Sequence, residues 1–212
     1  MRFNMIEQQI RPWDVLDPQV LALLAEVRRE DFVPDAYRAL AFADMQLPLP
    51  EGQCMLEPKI EARLLQELQL QRSDTVLEIG AGSGYMAALL AQLARRVISL
   101  ELRPALAKLA AANLERAGIT AAAVRCADGA PGLPNEAPFD AIALSGSVAE
   151  VPQRLLEQLT IGGRLVAIVG VEPIMRARLY TRADEASWAQ TNLFDTVAPR
   201  LSGFPERPRF GF

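Results

Sequence analysis

Three glycines and three acids in the middle of the chain have the types and spacing to hold a small charged ligand. Gly80, Gly82 and Gly84 make a G-x-G-x-G turn inside "VLEIGAGSGYMAALLAQL", which begins at Val76. Without side chains at those positions the backbone can bend sharply and approach a ligand closely. Glu78 lies just before the turn, Glu101 closes "VISLE", and Asp128 follows in "CADG". The spacing is not the G-x-G-x-x-G of the dinucleotide fingerprint, in which a pyrophosphate rests on the next helix N-terminus. A carboxylate at position 78 would repel that pyrophosphate, whereas it suits a ligand carrying an ammonium and a sulfonium. Glu101 can accept both ribose hydroxyl protons, and Asp128 lies within reach of an adenine amino group. With Ser83, Leu102 and Gly129 beside them, these residues predict S-adenosyl-L-methionine as the cofactor and disfavour NAD. Taken singly, a glycine triplet is often only a strand–helix turn and an isolated acid is usually solvated. The prediction rests on their order and context.

The chain has no histidine, so any chemistry here proceeds without the commonest general base and a favoured metal ligand. Its two cysteines, Cys54 and Cys126, are far apart and in no metal-like spacing, which predicts no metal site and a reduced, cytoplasmic setting. A formal charge of −4 on 212 residues argues against a dedicated nucleic-acid binder, since neutralising phosphates needs a basic surface. "MRFNMIEQQIRPWDV" contains no apolar core of signal-peptide length, and no stretch is long and apolar enough to span a bilayer. No membrane or nucleic-acid partner is expected.

The elements that must position these residues follow from periodicity. "DPQVLALLAEV" reads as a helix with Asp17 as cap and Pro18 in the first turn. "FADMQLPLPEGQCMLEP" is proline-marked and irregular, and "PKIEARLLQELQL" resumes helical spacing. After Ser73 strands and helices alternate. Strands are expected in "TVLEIG", "RVISLEL", "AAAVRCADG", "FDAIALSG" and, behind a Gly162–Gly163 turn, "GRLVAIVG". Helices are expected in "YMAALLAQLA", "PALAKLAAANLERAG" and "VPQRLLEQL". This rhythm predicts an α/β, Rossmann-like fold, a mostly parallel twisted sheet with helices on both faces. "MRARLYTR" and "WAQTNLFDTVAPRL" add two antiparallel strands at its edge. The chain divides into residues 1–72, a helical and loop segment packed on the core, and residues 73–212, the core with its antiparallel strands and tail, within a single domain.

With their flanks, these motifs resemble the protein-L-isoaspartate O-methyltransferase family from about Met5 to Arg182. The glycine motif is very close to the family's version. "EAPFDAIALSGSVAEVPQRLLEQLTIGGRLVAIVG" carries its P-F-D, E-x-P and G-G-R-L elements, and "REDFVPDAYRALAFADMQLPLPEGQCMLEP" is similar to its N-terminal lid. The resemblance implies methylation, by S-adenosyl-L-methionine, of the carboxylate of an L-isoaspartyl residue in a damaged protein or peptide, as a step of protein repair. A carboxylate with a pKa near ~4 is already ionised at neutral pH and needs no base.

One departure matters. Where the family has G-Q-T-I-S-x-P, this chain has "GQCMLEP". The resemblance therefore assigns the catalytic positions to Gln53, Cys54 and Leu56, with leucine standing where the family has its serine. Losing one preorganised hydrogen-bond donor can cost ~10²–10³ in rate. Main-chain amides of the loop can compensate, and Glu57 adds a charge that repels a carboxylate if it points inward. Cys54 reads as a threonine-sized spacer in preference to a nucleophile, and Cys126 as core. Trp13 and Trp188 are expected to pack, and Lys59 and Arg103 to be solvated or to attract an acidic substrate. The tail "GFPERPRFGF" has three uses open to it: covering the site, packing on a neighbouring subunit, or remaining disordered. Two other functions stay open at this point, a methyltransferase with another acceptor and a cofactor-binding module that has lost its activity. The oligomeric state is not legible.

Overall fold

The computed structural model describes residues 1–206. Its N-terminal third holds α1 (Arg2–Met5), α2 (Pro18–Glu26) and α3 (Pro58–Leu68), with a small hairpin, β1 (Leu47–Pro48) and β2 (Cys54–Met55), between the last two. There follow β3 (Thr75–Ile79), α4 (Tyr85–Leu93), β4 (Arg96–Glu101), α5 (Pro104–Arg116), β5 (Ala122–Cys126), β6 (Phe139–Val148), α6 (Gln153–Leu156), β7 (Leu159–Val171), β8 (Ile174–Arg182) and β9 (Trp188–Thr196). The last seven strands form one sheet of order β5-β4-β3-β6-β7-β8-β9. Neighbours from β5 to β7 run parallel, while β8 and β9 are antiparallel additions. The expected fold class is the observed one.

Successive strand residues point to opposite faces, so each buried strand feeds two cores. Val76, Val97, Ala141, Ala143 and Val166 face one side, where Leu24, Leu64, Leu89 and Leu114 cover them from α2, α3, α4 and α5. Leu77, Ile98, Leu100, Ile142 and Leu165 face the other, against Leu155, Leu156, Phe139 and Phe204. The two faces are clad unequally. The second carries only the one-turn α6 and loops, because the connection from β5 to β6 contains Pro131, Pro134 and Pro138, and proline interrupts the helical hydrogen-bond ladder.

Asp17 caps α2 as its position predicts, its carboxylate accepting from the Gln19 N–H at 2.8 Å. Three boundaries differ from expectation. The "VPQRLLEQL" helix shrinks to Gln153–Leu156 because β7 begins at Leu159. The Gly162–Gly163 pair lies within that strand: Phe139 pairs with Leu159, then Ala141 with Arg164, so the residues between bulge out. The strand expected over 188–201 ends at Thr196, opposite Met175 near the start of its partner. Beyond it the chain crosses to β6, where Ser147 donates its N–H to Pro199 O (2.8 Å) and accepts from the Leu201 N–H (2.9 Å).

One further feature adds to expectation and one overturns it. The proline-marked section contains the β1–β2 hairpin, with Leu47 opposite Met55 and Pro48 opposite Cys54. Cys126 is exposed rather than core, because β5 is an edge strand and the cysteine ends it. Among the described residues, no helix is long and apolar enough to cross a membrane.

Candidate functional site

The carboxyl ends of β3, β4 and β6 open onto one crevice, the place where open α/β sheets bind ligands. The chain enters it through the glycine turn. Gly80 has φ 97° and Gly84 φ 85°, values that favour glycine. A Cβ on Gly84 would stand 3.0 Å from Ala110 O, so its absence lets α4 approach α5. A Cβ on Gly80 would stand 2.8 Å from Leu201 Cδ2, where the chain past β9 leans over the turn.

Glu101, only 5% exposed, ties the end of β4 to this turn. Its Oε2 accepts the Gly82 N–H and its Oε1 the Arg103 N–H, both at 3.0 Å. Glu78 is fully buried on β3, where its carboxylate accepts from Ser145 Oγ at 2.8 Å and from Ser99 Oγ. Burial pushes its carboxyl up from 4.5 to about 7; the two serine hydrogen bonds pull it down, and the charges of Glu61 and Glu101 push it further up. Asp128 is placed differently. It is exposed, its Oδ1 accepts the Ala130 N–H at 2.9 Å, and Gly203 lies against it, with a built Cβ only 2.7 Å from that oxygen.

Two chambers meet at the turn. One is lined by Leu56, Glu61, Glu78, Ser83 and Met86. The other is lined by Gln53, Glu101, Leu102, Arg103, Gly129 and Ser202. Cys54, Gly80, Gly82 and Ser145 border both. The structure thus gathers Gln53, Cys54, Leu56, Glu78, Gly80, Gly82, Ser83, Glu101, Leu102 and Gly129 around one crevice. Gly84 stands behind the turn. Asp128 lines neither chamber.

The 53–58 loop closes the first chamber. Leu56 is buried and offers no polar side-chain atom there. The Cys54 thiol donates to Gln46 Oε1 at 3.3 Å. Burial, and then the charges of Glu57 and Glu61, push that thiol up to about 11. It is therefore protonated at neutral pH, as a spacer should be and a nucleophile should not. The Gln46 amide donates to Glu57 Oε1 (3.4 Å) and to Val197 O (3.2 Å), joining the loop to the segment past β9. Trp13 packs edge-on to Phe194 with centroids 5.6 Å apart, and Trp188 donates to Leu156 O at 3.0 Å. Lys59 pairs with Asp44 at 2.6 Å and so is not free to attract substrate. Arg103 borders the second chamber and is only loosely paired with Glu51, at 3.7 Å.

Sequence reasoning missed several residues here. Ser99 stands opposite Glu78 on β4, and Ser145 lies on β6 two residues past Glu78's partner Ala143, in registers no spacing rule displays. Leu201 and Ser202 wall the second chamber from some 120 residues beyond the turn. Of the tail, residues 207–212 lie outside the described residues, while Phe204 is buried against the second face of the sheet.

Comparison with known proteins agrees with this geometry. The family model for protein-L-isoaspartate(D-aspartate) O-methyltransferase (PCMT) matches residues 2–198. The protein-L-isoaspartate O-methyltransferase of Methanoculleus marisnigri is 47% identical over 169 residues, covering 80% of this chain and 77% of that protein. Protein-L-isoaspartate O-methyltransferase 2 of Marinobacter nauticus is 41% identical over 204 residues, 96% of this chain and 93% of its own. A solved protein-L-isoaspartate O-methyltransferase superposes with a TM-score of 0.84 at 26% identity, over 96% of this chain and 66% of that one. A Plasmodium falciparum structure described as a protein-L-isoaspartate O-methyltransferase in complex with S-adenosyl-L-homocysteine gives a TM-score of 0.80 over 95% of this chain and 98% of that one. At 19% identity this last likeness concerns the fold.

Proposed function

The chain belongs to the protein-L-isoaspartate(D-aspartate) O-methyltransferase family, and from that premise we propose that it uses S-adenosyl-L-methionine to methylate the carboxylate of L-isoaspartyl residues in damaged proteins and peptides. The observation that carries this reading is the crevice itself. It runs from a glycine turn held by a buried carboxylate, past the buried Glu78, to the acceptor loop. The residues present fit the cofactor: the turn has no side chains to block a close approach, and the acids at the ends of β3 and β4 match its hydroxyl and ammonium groups. The methyl donor supplies an electrophilic carbon on a sulfonium.

What the chain's own residues do is bind, orient and exclude water. Glu101 would hold the ribose hydroxyls with the lone pairs its two backbone donors leave free. Glu78 would balance the ligand's positive charge, and Leu102 and Gly129 would border its base. Glu101 and Glu78 would reach the cofactor from the strands themselves. Asp128, exposed and with Gly203 against its carboxylate, would reach the base only at the crevice's edge. Gln53, Cys54 and Leu56 would close the acceptor side, with Ser83 and Gly84 fixing the start of α4. Because the acceptor carboxylate is ionised at neutral pH, alignment and dryness are the main contributions required of the protein. The absence of histidine is then no handicap. Free thiols at Cys54 and Cys126 support placing the reaction in a reducing compartment such as the cytoplasm.

The direct test is transfer of labelled methyl to an isoaspartyl peptide and to its aspartyl twin. The expected result is labelling of the first only, released by mild base as a methyl ester should be. Equal labelling of both, or of neither, overturns this choice of acceptor. A second reading, the same fold with a different acceptor, draws on one observation: leucine at 56 removes the hydroxyl from a chamber that two acids, Glu61 and Glu78, already line.

The titration of Glu78 makes a separate prediction. Its carboxyl in the free protein sits near 7, and a bound cation favours the ionised form. Binding should therefore release up to one proton at about pH 6 and none above about pH 8.5. Affinity should rise with pH through the window below 7 and then level. Calorimetry in buffers of different ionisation enthalpy measures the release, and a pH-independent affinity would place the cation elsewhere. Linkage also makes Glu78 a stability term: in the free protein its contribution is full below 4.5 and is lost as pH rises through about 7.

A further inference from the structure

A buried arginine outside the crevice sets up its acceptor wall. Arg29 is 1% exposed and belongs to neither chamber lining. Its guanidinium reaches three separate elements. Nε donates to Ala41 O in the lid at 3.1 Å, Nη2 to Leu56 O in the acceptor loop at 2.7 Å, and Nη1 to the Glu61 carboxylate on α3. Its carbon lies 4.9 Å from the centre of the Tyr85 ring, at the start of α4. A planar fork with donors on three sides can satisfy this set, and a lysine cannot. Two of its partners, Leu56 and Glu61, line the first chamber.

These contacts matter because of what the acceptor is. An incoming carboxylate would approach a wall that carries the Glu61 carboxylate and the Leu56 backbone. Arg29 engages both from behind. Position 56 has no side-chain hydroxyl, and with its C=O held by Arg29 the N–H of the same peptide plane, that of Glu57, is turned the opposite way from the guanidinium. We infer that Arg29 is a positioning residue for methyl transfer: it turns the Leu56 carbonyl back from the acceptor, neutralises Glu61, and so makes the chamber fit for an anion without the serine hydroxyl. This inference rests on the isoaspartyl reading of the site.

Arg29→Lys tests it, because charge is kept while the three-way reach is lost. Expected are a fall in kcat of about tenfold or more and a raised KM for the isoaspartyl peptide, with KM for the cofactor and the dissociation constant of S-adenosylhomocysteine within about twofold of wild type. Amide hydrogen exchange at Glu57, whose N–H shares the held peptide plane, should quicken, and the split between peptide and cofactor parameters is the readout that a merely structural role would not produce. Unchanged turnover, or parallel loss of cofactor affinity and turnover, overturns the inference. Should Arg29→Lys not fold, the double variant Arg29→Met with Glu61→Leu leaves no buried charge unpaired. It should bind S-adenosylhomocysteine and lose turnover, and turnover within about threefold of wild type overturns the inference. If wild-type protein labels no isoaspartyl peptide, the acceptor reading falls by itself. The exchange rate at Glu57 in Arg29→Lys then still decides whether Arg29 holds the loop.

Discussion

Glu101→Ala is expected to weaken S-adenosylhomocysteine binding by about 1.5–3 kcal/mol, roughly 10- to 150-fold in the dissociation constant. Two losses combine. The bidentate grip on the ribose disappears, and so do the bonds from the Gly82 and Arg103 N–H groups that give the turn its shape. Glu101→Gln separates them. Glutamine has one acceptor oxygen and an amide that faces a backbone donor, so one of those N–H groups must lose its partner. The glutamine variant should lie between wild type and alanine. Isothermal calorimetry supplies the numbers, and equal affinity in all three proteins would mean that the acid serves the fold alone.

Leu56→Ser should raise isoaspartyl turnover by about tenfold or more. One preorganised donor at a reacting centre is worth ~10²–10³ in rate, and part of that is already recovered if the loop's main chain serves in its place. The exchange has a cost in stability. Leu56 is buried, and truncating a buried leucine typically costs 2–5 kcal/mol, toward the low end where the site opens onto a chamber. Thermal denaturation and S-adenosylhomocysteine affinity must therefore be read beside turnover. A folded variant that binds S-adenosylhomocysteine normally yet gains nothing would show that the loop has been rebuilt for another acceptor.

The two variants probe different chambers of the crevice, and they differ in how visible their targets were. Glu101 could be named from the sequence because strand–turn–helix order fixes where a strand-end acid goes. Leu56 could be named only through resemblance, as the position where a familiar loop changes residue. Arg29 could not be named at all. Its role exists because Ala41, Leu56, Glu61 and Tyr85 converge on it from four places in the chain, and no local pattern records such convergence.

The same contrast runs through the fold. Strand and helix positions between Thr75 and Glu101 followed from periodicity, since a parallel strand buried on both faces must be a continuous apolar run. The length of α6, the bulge at Gly162 and Gly163, and the exposure of Cys126 depended on which strand lay next to which, and so escaped. Asp128 shows the limit most clearly. It stands after the third strand, as the order requires, yet Gly203 lies against its carboxylate and it does not line the crevice.

By itself, then, the sequence determined the class of fold, the glycine turn and the acids at the ends of β3 and β4, because backbone geometry and alternating burial act over a few residues. Tertiary structure alone decided the serines that hold Glu78, the segment past β9 that walls the second chamber, and the arginine behind the acceptor loop. Those contacts join residues tens to more than a hundred positions apart, and hydrogen bonds and desolvation depend on distance in space, for which distance along the chain is no guide.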